Sequence, residues 1–258
     1  MQNVLGDFLK ARRGRVRPED LGLPARGRRR VPGLRRDELA ELAGLSEPYL
    51  TRLEQGVDRH PSTQVLQALA QALRLDDDET TYLLNLAAPS PGRPETVLDD
   101  EVQRLLDSWP DTPAYVRNRR LDVLAANKLA MTLSEMYWPG RNLARDMFLS
   151  PQVRQLLPEW EQIAAQTVAA LRAEADQQDP RFAALLSEML QQDDFQRLWA
   201  RNDVRVPRDE TKRFAHPVAG PLELRRQSLR ISGAEDQVII VYQAAPHSPS
   251  AAALARLR

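Results

Sequence analysis

Four polar side chains recur along one short stretch of the chain, at a spacing that can present hydrogen-bond donors and acceptors to a partner. They are Glu47, Tyr49, Arg52 and Gln55, within the sequence RDELAELAGLSEPYLTRLEQG of residues 36–56. A guanidinium donates several hydrogen bonds in a fixed fork, and carboxylate, phenol and amide groups add further donors and acceptors. Such a set on an exposed helix suits the base edges in the major groove of DNA, each of which has its own donor and acceptor pattern.

The surrounding residues predict two short helices joined by a tight turn, which is a helix-turn-helix. Gly44 supplies the turn, because glycine adopts a left-handed backbone without steric hindrance. Ser46 can cap the first amides of the second helix, and Pro48 is tolerated in its first turn. Leu50 and Leu53 then return to the core. The first helix is predicted from apolar residues at helical spacing, namely Leu39, Ala40, Leu42 and Ala43.

An ordinary helical hairpin is the alternative interpretation, since alanine, glycine and leucine also occur at these offsets there. The charge upstream favours DNA. Residues 5–36 hold eleven Lys and Arg against three Asp and Glu, a net charge of +8, whereas the whole chain has 36 of each kind and sums to zero. The remainder therefore carries about −8, and we expect the basic end to contact phosphates, although a merely solvated charge run stays open.

Repeated proline and glycine residues interrupt the basic stretch and predict an extended loop or arm over residues 14–34. The arm contains three consecutive arginines, Arg28, Arg29 and Arg30. These side chains can follow the DNA backbone or enter a narrow minor groove, where arginine is favoured. A disordered arm is the alternative.

Two further helices complete a predicted all-α, five-helix DNA-binding domain over residues 1–90. Ser62 or Thr63 begins one helix and Asp76 begins the next. The acidic run that follows Asp76 suits the positive end of a helix dipole, so we do not interpret it as a metal site. Residues 89–94, PSPGRP, predict a linker.

Residues 95–258 predict a second domain of α+β class, with about five antiparallel strands and several helices on one face of the sheet. Two short strands are expected at 114–124, with a turn near 118–120, and later strands at 204–206, 212–216, 222–231 and 238–243. Helices are expected at 98–108, from Asn127 onward, and around 141–157, 159–175 and 180–201. Strands at both ends with helices between them indicate one helix-covered sheet.

A sheet covered by helices can enclose an apolar pocket, and aromatic side chains of this domain are candidates to line it. They are Trp109, Tyr115, Phe148, Trp160, Phe195, Trp199 and Phe214. Asn127 is a further candidate contact, and Arg201 or Arg205 is a candidate partner for a carboxylate. Plain core packing and surface salt bridges are the alternatives for these two groups.

The composition argues against several classes of protein. The chain has no cysteine, which excludes disulfides and cysteine-bound metals and fits a reducing compartment. No segment approaches the roughly 18 apolar residues of a membrane span, so we expect a cytoplasmic protein with no membrane partner. Three histidines occur without any nucleophile elbow, phosphate loop or zinc-protease pair, and we expect no catalytic residues, no metal and no enzyme activity. His216, before Pro217, is interpreted as a structural hydrogen-bonding residue.

Several longer segments resemble a known family. The stretch VRPEDLGLPARGRRRVPGLRRDELAELAGLSEPYLTRLEQG, continuing to residue 75, resembles the DNA-binding part of MmyB-like transcriptional regulators, within the wider Xre group. PAYVRNRRLDVLAAN, PGRNLARDMFL, LWARNDV and TKRFAHP resemble that family's ligand-binding domain. The inserted GLP and RRRVPGLRR are specific to the family, whereas the helix-turn-helix alone indicates only the larger group.

The resemblance implies a bacterial regulator, typical of actinomycetes, with a PAS-like C-terminal domain that binds a small apolar molecule such as a fatty acid. Carried over by position, it implies phosphate contacts for Arg35 and Arg36 and backbone contacts for Arg59 and His60. The groove-facing set is Ser46, Glu47, Pro48, Tyr49 and Arg52. Pro48 departs from the polar residue common in the family, which leaves more of the base reading to Arg52.

We expect such a regulator to bind a partly palindromic operator as a homodimer, with half-sites about 34 Å apart. A ligand would act by binding one dimer geometry better than another. Control by a protein partner in an apolar groove, without any small ligand, is the alternative.

Overall fold

The computed structural model describes residues 3–22, 33–87, 96–206 and 209–258. These residues divide into two compact units. The first comprises the described residues up to Ala87 together with Ala200–Arg205, and the second comprises 96–199, Val206 and 209–258. The predicted contacts Arg28, Arg29 and Arg30 lie outside the described residues.

The first unit is all-α, as predicted, and its described residues form five α-helices. They are α1 (Val4–Arg13), α2 (Arg36–Leu42), α3 (Glu47–Gln55), α4 (Thr63–Ala72) and α5 (Asp77–Ala87). Each helix contributes apolar side chains to one core, among them the fully buried Phe8, Leu9, Leu39, Leu50, Leu53, Leu69 and Leu83. The helical spacing of these residues explains why the five amphipathic helices pack together.

The turn between α2 and α3 has the predicted chemistry. Gly44 has a φ of 65°, the left-handed conformation that side chains disfavour, and the Leu45 N–H donates to the Ala40 carbonyl at 2.8 Å. The Ser46 hydroxyl accepts from the Tyr49 N–H at 3.4 Å and caps α3. Gly56, with a φ of 74°, ends α3. The two helices of the motif are thus fixed by local sequence at both ends.

The prediction of an extended arm over residues 14–34 is partly wrong for the residues of this stretch that the structure describes, 14–22 and 33–34. A short 3-10 helix spans Pro18–Leu21, because proline is pre-set for a first helical position. Leu34 is fully buried, and its backbone N–H donates to the Arg13 carbonyl at 3.0 Å. The apolar side chain of Leu34 therefore belongs to the helical core, and residues 23–32 lie outside the described chain.

The second unit contains the predicted antiparallel sheet of five strands. They are β1 (Ala114–Asn118), β2 (Val123–Ala126), β3 (Glu210–His216), β4 (Gly220–Ile231) and β5 (Ala234–Gln243), in the order β2-β1-β5-β4-β3. The PAS-like α+β class expected from the resemblance is confirmed. Across three neighbouring strands Tyr242 lies opposite Arg226, and Arg226 lies opposite Glu210. These three side chains therefore share one face of the sheet.

Eight α-helices accompany this sheet in the part of the unit that the structure describes. They are α6 (Asp100–Asp107), α7 (Lys128–Leu133), α8 (Leu143–Leu149), α9 (Pro151–Leu156), α10 (Trp160–Glu174), α11 (Pro180–Met189), α12 (Asp193–Trp199) and α13 (Pro249–Ala255). A further 3-10 helix spans Glu135–Tyr137. The main core lies between one sheet face and most of these helices.

The sequence predicted helices on only one face of the sheet, and the structure corrects this prediction. Leu106 of α6 packs on the opposite face, against Ala114, Val116 and Ile239. The reason is that β1 is apolar on both faces and is buried along its whole length, so both sides need cover.

Three other local predictions are wrong. Residues 204–206 form no strand, because Val204 is buried within the first unit and has no neighbouring strand to pair with. The helix expected at 141–157 is two helices, since Ser150 ends α8 and caps α9 just before Pro151. The helix expected at 180–201 breaks between Met189 and Asp193. The C-terminal α13 has no counterpart in the sequence prediction.

Candidate DNA-reading helix and ligand-binding core

The outer face of α3 presents most of the side chains predicted to face a DNA groove. Ser46, Glu47, Pro48 and Arg52 are exposed, whereas Tyr49 is half-buried. Pro48 lies in the first turn, where its missing N–H leaves no helical hydrogen bond unmade. The helix thus exposes one cation, Arg52, at its centre.

Arg52 is held in place by a residue that the sequence analysis did not identify. Its Nε and Nη2 atoms donate to Oδ2 of Asp58, at 2.9 and 2.7 Å. Its guanidinium carbon lies 5.9 Å from the ring centre of Tyr49. The left-handed turn at Gly56 returns the chain toward α3, which places Asp58 beside Arg52. A glycine followed by an acidic residue just after the helix is the only sequence signal for this contact.

Glu54 is a second residue that sequence reasoning missed. It is fully buried, and its carboxylate accepts from Nε of Arg13 at 2.7 Å and from Nε of Arg36 at 2.6 Å. The Asn3 side-chain amide donates to its backbone carbonyl at 2.8 Å. Glu54 therefore ties α1, α2 and α3 together through charge-assisted hydrogen bonds. Its place directly after Leu53 on the inner face of α3 was the available signal.

The predicted backbone contacts that the structure describes lie at the start of α2 and just after α3. The Arg36 side chain remains 43% exposed despite its contact with Glu54, so part of its guanidinium is still available to a phosphate. The backbone N–H of Arg35 donates to the Glu38 carboxylate at 2.8 Å, which caps the start of α2. Arg59 and His60 are exposed after α3, and Nε of Arg59 donates to the Gly56 carbonyl at 3.1 Å.

Two arginines near the N-terminus are used inside the first unit. Arg12 is buried and pairs with Glu79 at 2.6 Å, while its Nη2 donates to the carbonyl of Asn202 at 2.7 Å. Burial lowers the pKa of Arg12, and the charge of Glu79 opposes that effect. Arg15 pairs with Asp203 at 2.7 Å. Part of the basic charge near the N-terminus thus has a structural role.

In the second unit, three tyrosines meet on the helix-covered face of the sheet, and we call Tyr115, Tyr137 and Tyr242 the tyrosine cluster. The Tyr115 and Tyr137 rings stack with centres 4.6 Å apart, and the Tyr137 and Tyr242 hydroxyls are 3.1 Å apart. Phe214 packs edge-on against Tyr242 at 5.4 Å. Burial raises the pKa of all three phenols, so they remain neutral hydrogen-bonding groups.

Two basic residues on neighbouring strands adjoin the tyrosine cluster. Arg226 of β4 is buried and hydrogen-bonds the Tyr115 hydroxyl. Lys212 of β3 lies 3.7 Å from the Glu210 carboxylate. Burial, and then the positive charge of Arg226, lowers the pKa of Lys212 to about 8. Cations and phenols on one inner sheet face are suited to a carboxylate or another small anion.

The structure brings only part of the predicted ligand-contact set to this place. Tyr115 and Phe214 adjoin it, but Tyr137, Tyr242, Lys212 and Arg226 were missed. A second aromatic group lies between helices: Phe148 is 5.8 Å from Trp160 and 5.3 Å from Phe195, which stacks on Trp199 at 5.7 Å. It belongs to the same continuous apolar core.

Four predicted ligand contacts have other surroundings. Trp109 packs on the opposite sheet face, with the Leu106 group. The Asn127 side chain makes its hydrogen bonds within the protein. Its oxygen accepts from the Ala114 and Ala130 N–H groups, and its nitrogen donates to backbone carbonyls. Arg201 and Arg205 belong to the first unit.

His216 has the structural role expected of it. Its Nδ1 accepts from the backbone N–H groups of Val218 and Ala219, at 3.2 and 3.1 Å, which leaves Nε2 to donate to the Thr132 carbonyl at 3.2 Å. Across the described ranges, no group of three acidic or histidine side chains is arranged to hold a metal. Within those same ranges no helix is long and apolar enough to cross a membrane.

Comparison with known protein families gives two matches that together span both units. Residues 4–83 match the model of a helix-turn-helix domain, which includes α2 and α3. Residues 98–257 match the model of the MmyB-like transcription regulator ligand binding domain, which includes the sheet and the tyrosine cluster. No curated protein matches the chain. Because the second match covers more than half of the 258 residues, the chain belongs to the MmyB-like transcription regulators.

Proposed function

We propose that this DNA-binding transcription regulator senses an amphipathic molecule with an apolar tail and an anionic head, of which a fatty acid is the simplest example. The observation that carries the proposal is the pair Lys212 and Arg226, on the sheet face that holds the tyrosine cluster and much of the apolar core, with Glu210 beside Lys212. Both matched families are regulatory, and we propose no catalytic activity.

The surroundings of the pair suit both ends of such a ligand. Phe214, Leu224 and Ile240 extend the inner sheet face as apolar surface, and helical side chains such as Leu133 continue it. Burial of an apolar tail there would be favourable by about 0.8 kcal/mol for each methylene group. A carboxylate near Lys212 would stabilise the charged form of this lysine, which burial and then the positive charge of Arg226 disfavour.

On the DNA side, we propose that α3 enters the major groove as one half of a homodimer. Arg52 reads a base edge, while Arg36, Arg59 and His60 contact the backbone. Arginines 28 to 30 add phosphate contacts. The ligand would then change operator affinity by binding more tightly to one arrangement of the two protomers. Operator affinity rises if the operator binds the same arrangement and falls if it binds the other.

The DNA assignment is tested by selecting binding sites from random-sequence duplex DNA with the full-length protein. Arg52→Ala should relax the preference at one position in each half-site, because a bidentate arginine–guanine pair contributes about 1–3 kcal/mol of discrimination. Arg59→Ala should weaken binding to all sequences and lower the salt slope by about 0.9 for each phosphate that is no longer neutralised. A wild-type protein that selects no sequence would contradict the operator-binding role.

The ligand assignment is tested by native mass spectrometry of the purified protein and by titration with dodecanoic acid and dodecanol. The acid should bind more tightly than the alcohol, and Lys212→Met should remove most of that difference. Lys128→Met is the matched control, since Lys128 is exposed on α7. Equal affinity for acid and alcohol would exclude an anionic head, and an empty protein that binds neither would favour control by a protein partner.

A further inference from the structure

The contact between Arg52 and Asp58 uses only one edge of the guanidinium. Oδ2 of Asp58 accepts from Nε and from Nη2, which form the side edge of the group. The end edge, made by Nη1 and the second hydrogen of Nη2, has no hydrogen-bond acceptor within the described part of the chain. This end edge has the geometry that binds O6 and N7 of guanine together.

Asp58 is itself held in position by the turn that follows α3. The Val57 N–H donates to the Arg52 carbonyl at 2.9 Å, and the left-handed Gly56 reverses the chain. The Arg52 and Asp58 side chains are 56% and 30% exposed, so the more protected carboxylate is the fixed partner and the arginine is the one presented to solvent. The ring centre of Tyr49 lies 5.9 Å from the guanidinium carbon.

We infer that Asp58 is a positioning residue for base recognition, which aims the free edge of Arg52 at a guanine and thereby sets the specificity of α3. This inference rests on the proposed reading role of Arg52. An arginine with a long, rotatable side chain loses conformational freedom when it binds a base, and a carboxylate that fixes it beforehand reduces that loss.

The negative charge of Asp58 has an opposite effect on general affinity. A carboxylate beside a DNA surface repels phosphates of every sequence equally, so it weakens binding to random DNA. The positioning of Arg52 and the repulsion of phosphates by Asp58 therefore predict opposite changes in two measured quantities. Removal of the carboxylate raises affinity for random DNA and lowers discrimination between bases, whereas loss of folding would lower both.

The experiment compares full-length wild type, Asp58→Ala, Asp58→Asn and Arg52→Ala on selected sites and on random DNA of the same length. Asp58→Ala should discriminate about fivefold less at the guanine position, at the lower end of the range for a bidentate pair. Asp58→Asn keeps an acceptor oxygen without the charge, and should recover part of the discrimination while matching Asp58→Ala on random DNA. Asp7→Ala removes the carboxylate that pairs with Lys10, a more exposed ion-pair partner than Asp58, and serves as the charge control.

Three results would overturn the positioning role of Asp58, and they are distinguishable from a failure of the proposed function. Unchanged discrimination in Asp58→Ala overturns the inference, and so does an equal decrease in Asp7→Ala. If Arg52→Ala keeps every base preference, Arg52 is not the reading residue and the inference falls, although the protein remains a sequence-specific regulator. If the wild type selects no sequence, the proposed function fails and the inference fails with it.

Discussion

Single charged residues, buried where apolar ones are the norm, organise both units of this regulator. In the first unit the buried Glu54 pairs with two arginines from different helices, and in the second unit the buried Arg226 and the half-buried Lys212 lie on the face of the tyrosine cluster. Buried charges are tolerated only when they are paired or hydrogen-bonded. Substituting these residues is therefore expected to change the free energy of unfolding, and for Lys212 to change how that free energy depends on pH.

Replacing Glu54 by alanine is expected to destabilise the first unit by about 3 kcal/mol, the lower end of the range for breaking a buried ion pair. The lower end applies because the Arg36 side chain is 43% exposed and can regain water. Urea unfolding followed by circular dichroism measures the change. Glu47→Ala, an exposed residue of the same helix, is the control, and an equal effect of both substitutions would contradict the role of Glu54.

The second unit should become more stable as pH rises from about 8 toward 9.5. Lys212 has a pKa of about 8 in the folded chain and 10.5 as its ordinary value, so between these values the unfolded chain binds a proton that the folded chain has released. Stability should therefore increase by about 1–2 kcal/mol over this window. The buried phenols act in the opposite sense only near and above their ordinary pKa of 10.

Lys212→Met should abolish this increase, and Lys128→Met should keep it. Denaturant unfolding at several pH values between 7 and 9.5 measures both variants. A rise that persists in Lys212→Met would assign the pH dependence to another group.

At the residue scale the sequence predicted the exposure of Glu47, Arg52 and Gln55 on α3, whereas Tyr49 is half-buried, and it did not predict which partners hold them. Exposure follows from helical periodicity, which is local. The contacts of Arg52 with Asp58 and of Arg36 with Glu54 depend on how a turn and two helices meet in space. The same limit explains why Tyr137 and Tyr242, 105 residues apart in sequence, were not recognised as one site.

At the scale of elements, α1 and α3 approach each other unusually closely at Gly6. A Cβ atom on Gly6 would lie 2.4 Å from the Glu54 carbonyl oxygen, well inside van der Waals contact. A backbone oxygen cannot move aside as a flexible side chain does. The absence of a side chain at Gly6 is therefore a condition for the packing of these two helices.

Gly6→Ala is expected to destabilise the first unit by about 1–3 kcal/mol, the usual effect of overpacking, despite the better helix propensity of alanine. Gly14→Ala is the matched control. Gly14 has a φ of −65°, and a Cβ there would meet only carbonyls at 3.5 Å, so we expect no loss and a gain of up to about 1 kcal/mol. Thermal unfolding of the two variants should shift in opposite directions, and parallel shifts would contradict the close approach.

Elements with strong periodicity were predicted well, and elements defined by long-range pairing were not. The five helices of the first unit and three of the four later strand patterns follow from apolar spacing. The pattern at 204–206 also resembles a strand, but a strand exists only where a neighbour supplies the hydrogen bonds. The breaks at Pro151 and between Met189 and Asp193 depend on caps that compete with continuous helix.

At the scale of the whole molecule, a regulator of this kind requires a coupling free energy between its two sites. We expect dodecanoic acid to change operator affinity by at least about fivefold, and operator DNA to change the affinity for the acid by the same factor, because equilibrium coupling is reciprocal. Fluorescence anisotropy of labelled operator and calorimetric titration of the acid measure the two sides. Operator affinity that is identical with and without saturating acid would show that this ligand does not control DNA binding.

All four tryptophans of the chain, at positions 109, 138, 160 and 199, belong to the second unit. The aromatic residues of helices α1 to α5 are Phe8, Tyr49 and Tyr82, none of which is a tryptophan. Indole emission excited near 295 nm therefore reports selectively on the ligand-binding unit, without any label. Trp160 and Trp199 lie under arginines, with the Arg154 and Arg172 guanidinium carbons 3.8 and 3.7 Å from their ring centres, and the rings of Phe148 and Phe195 adjoin them. Trp160 and Trp199 belong to the same continuous core as the sheet face of the proposed ligand site, so we expect ligand binding to alter this emission.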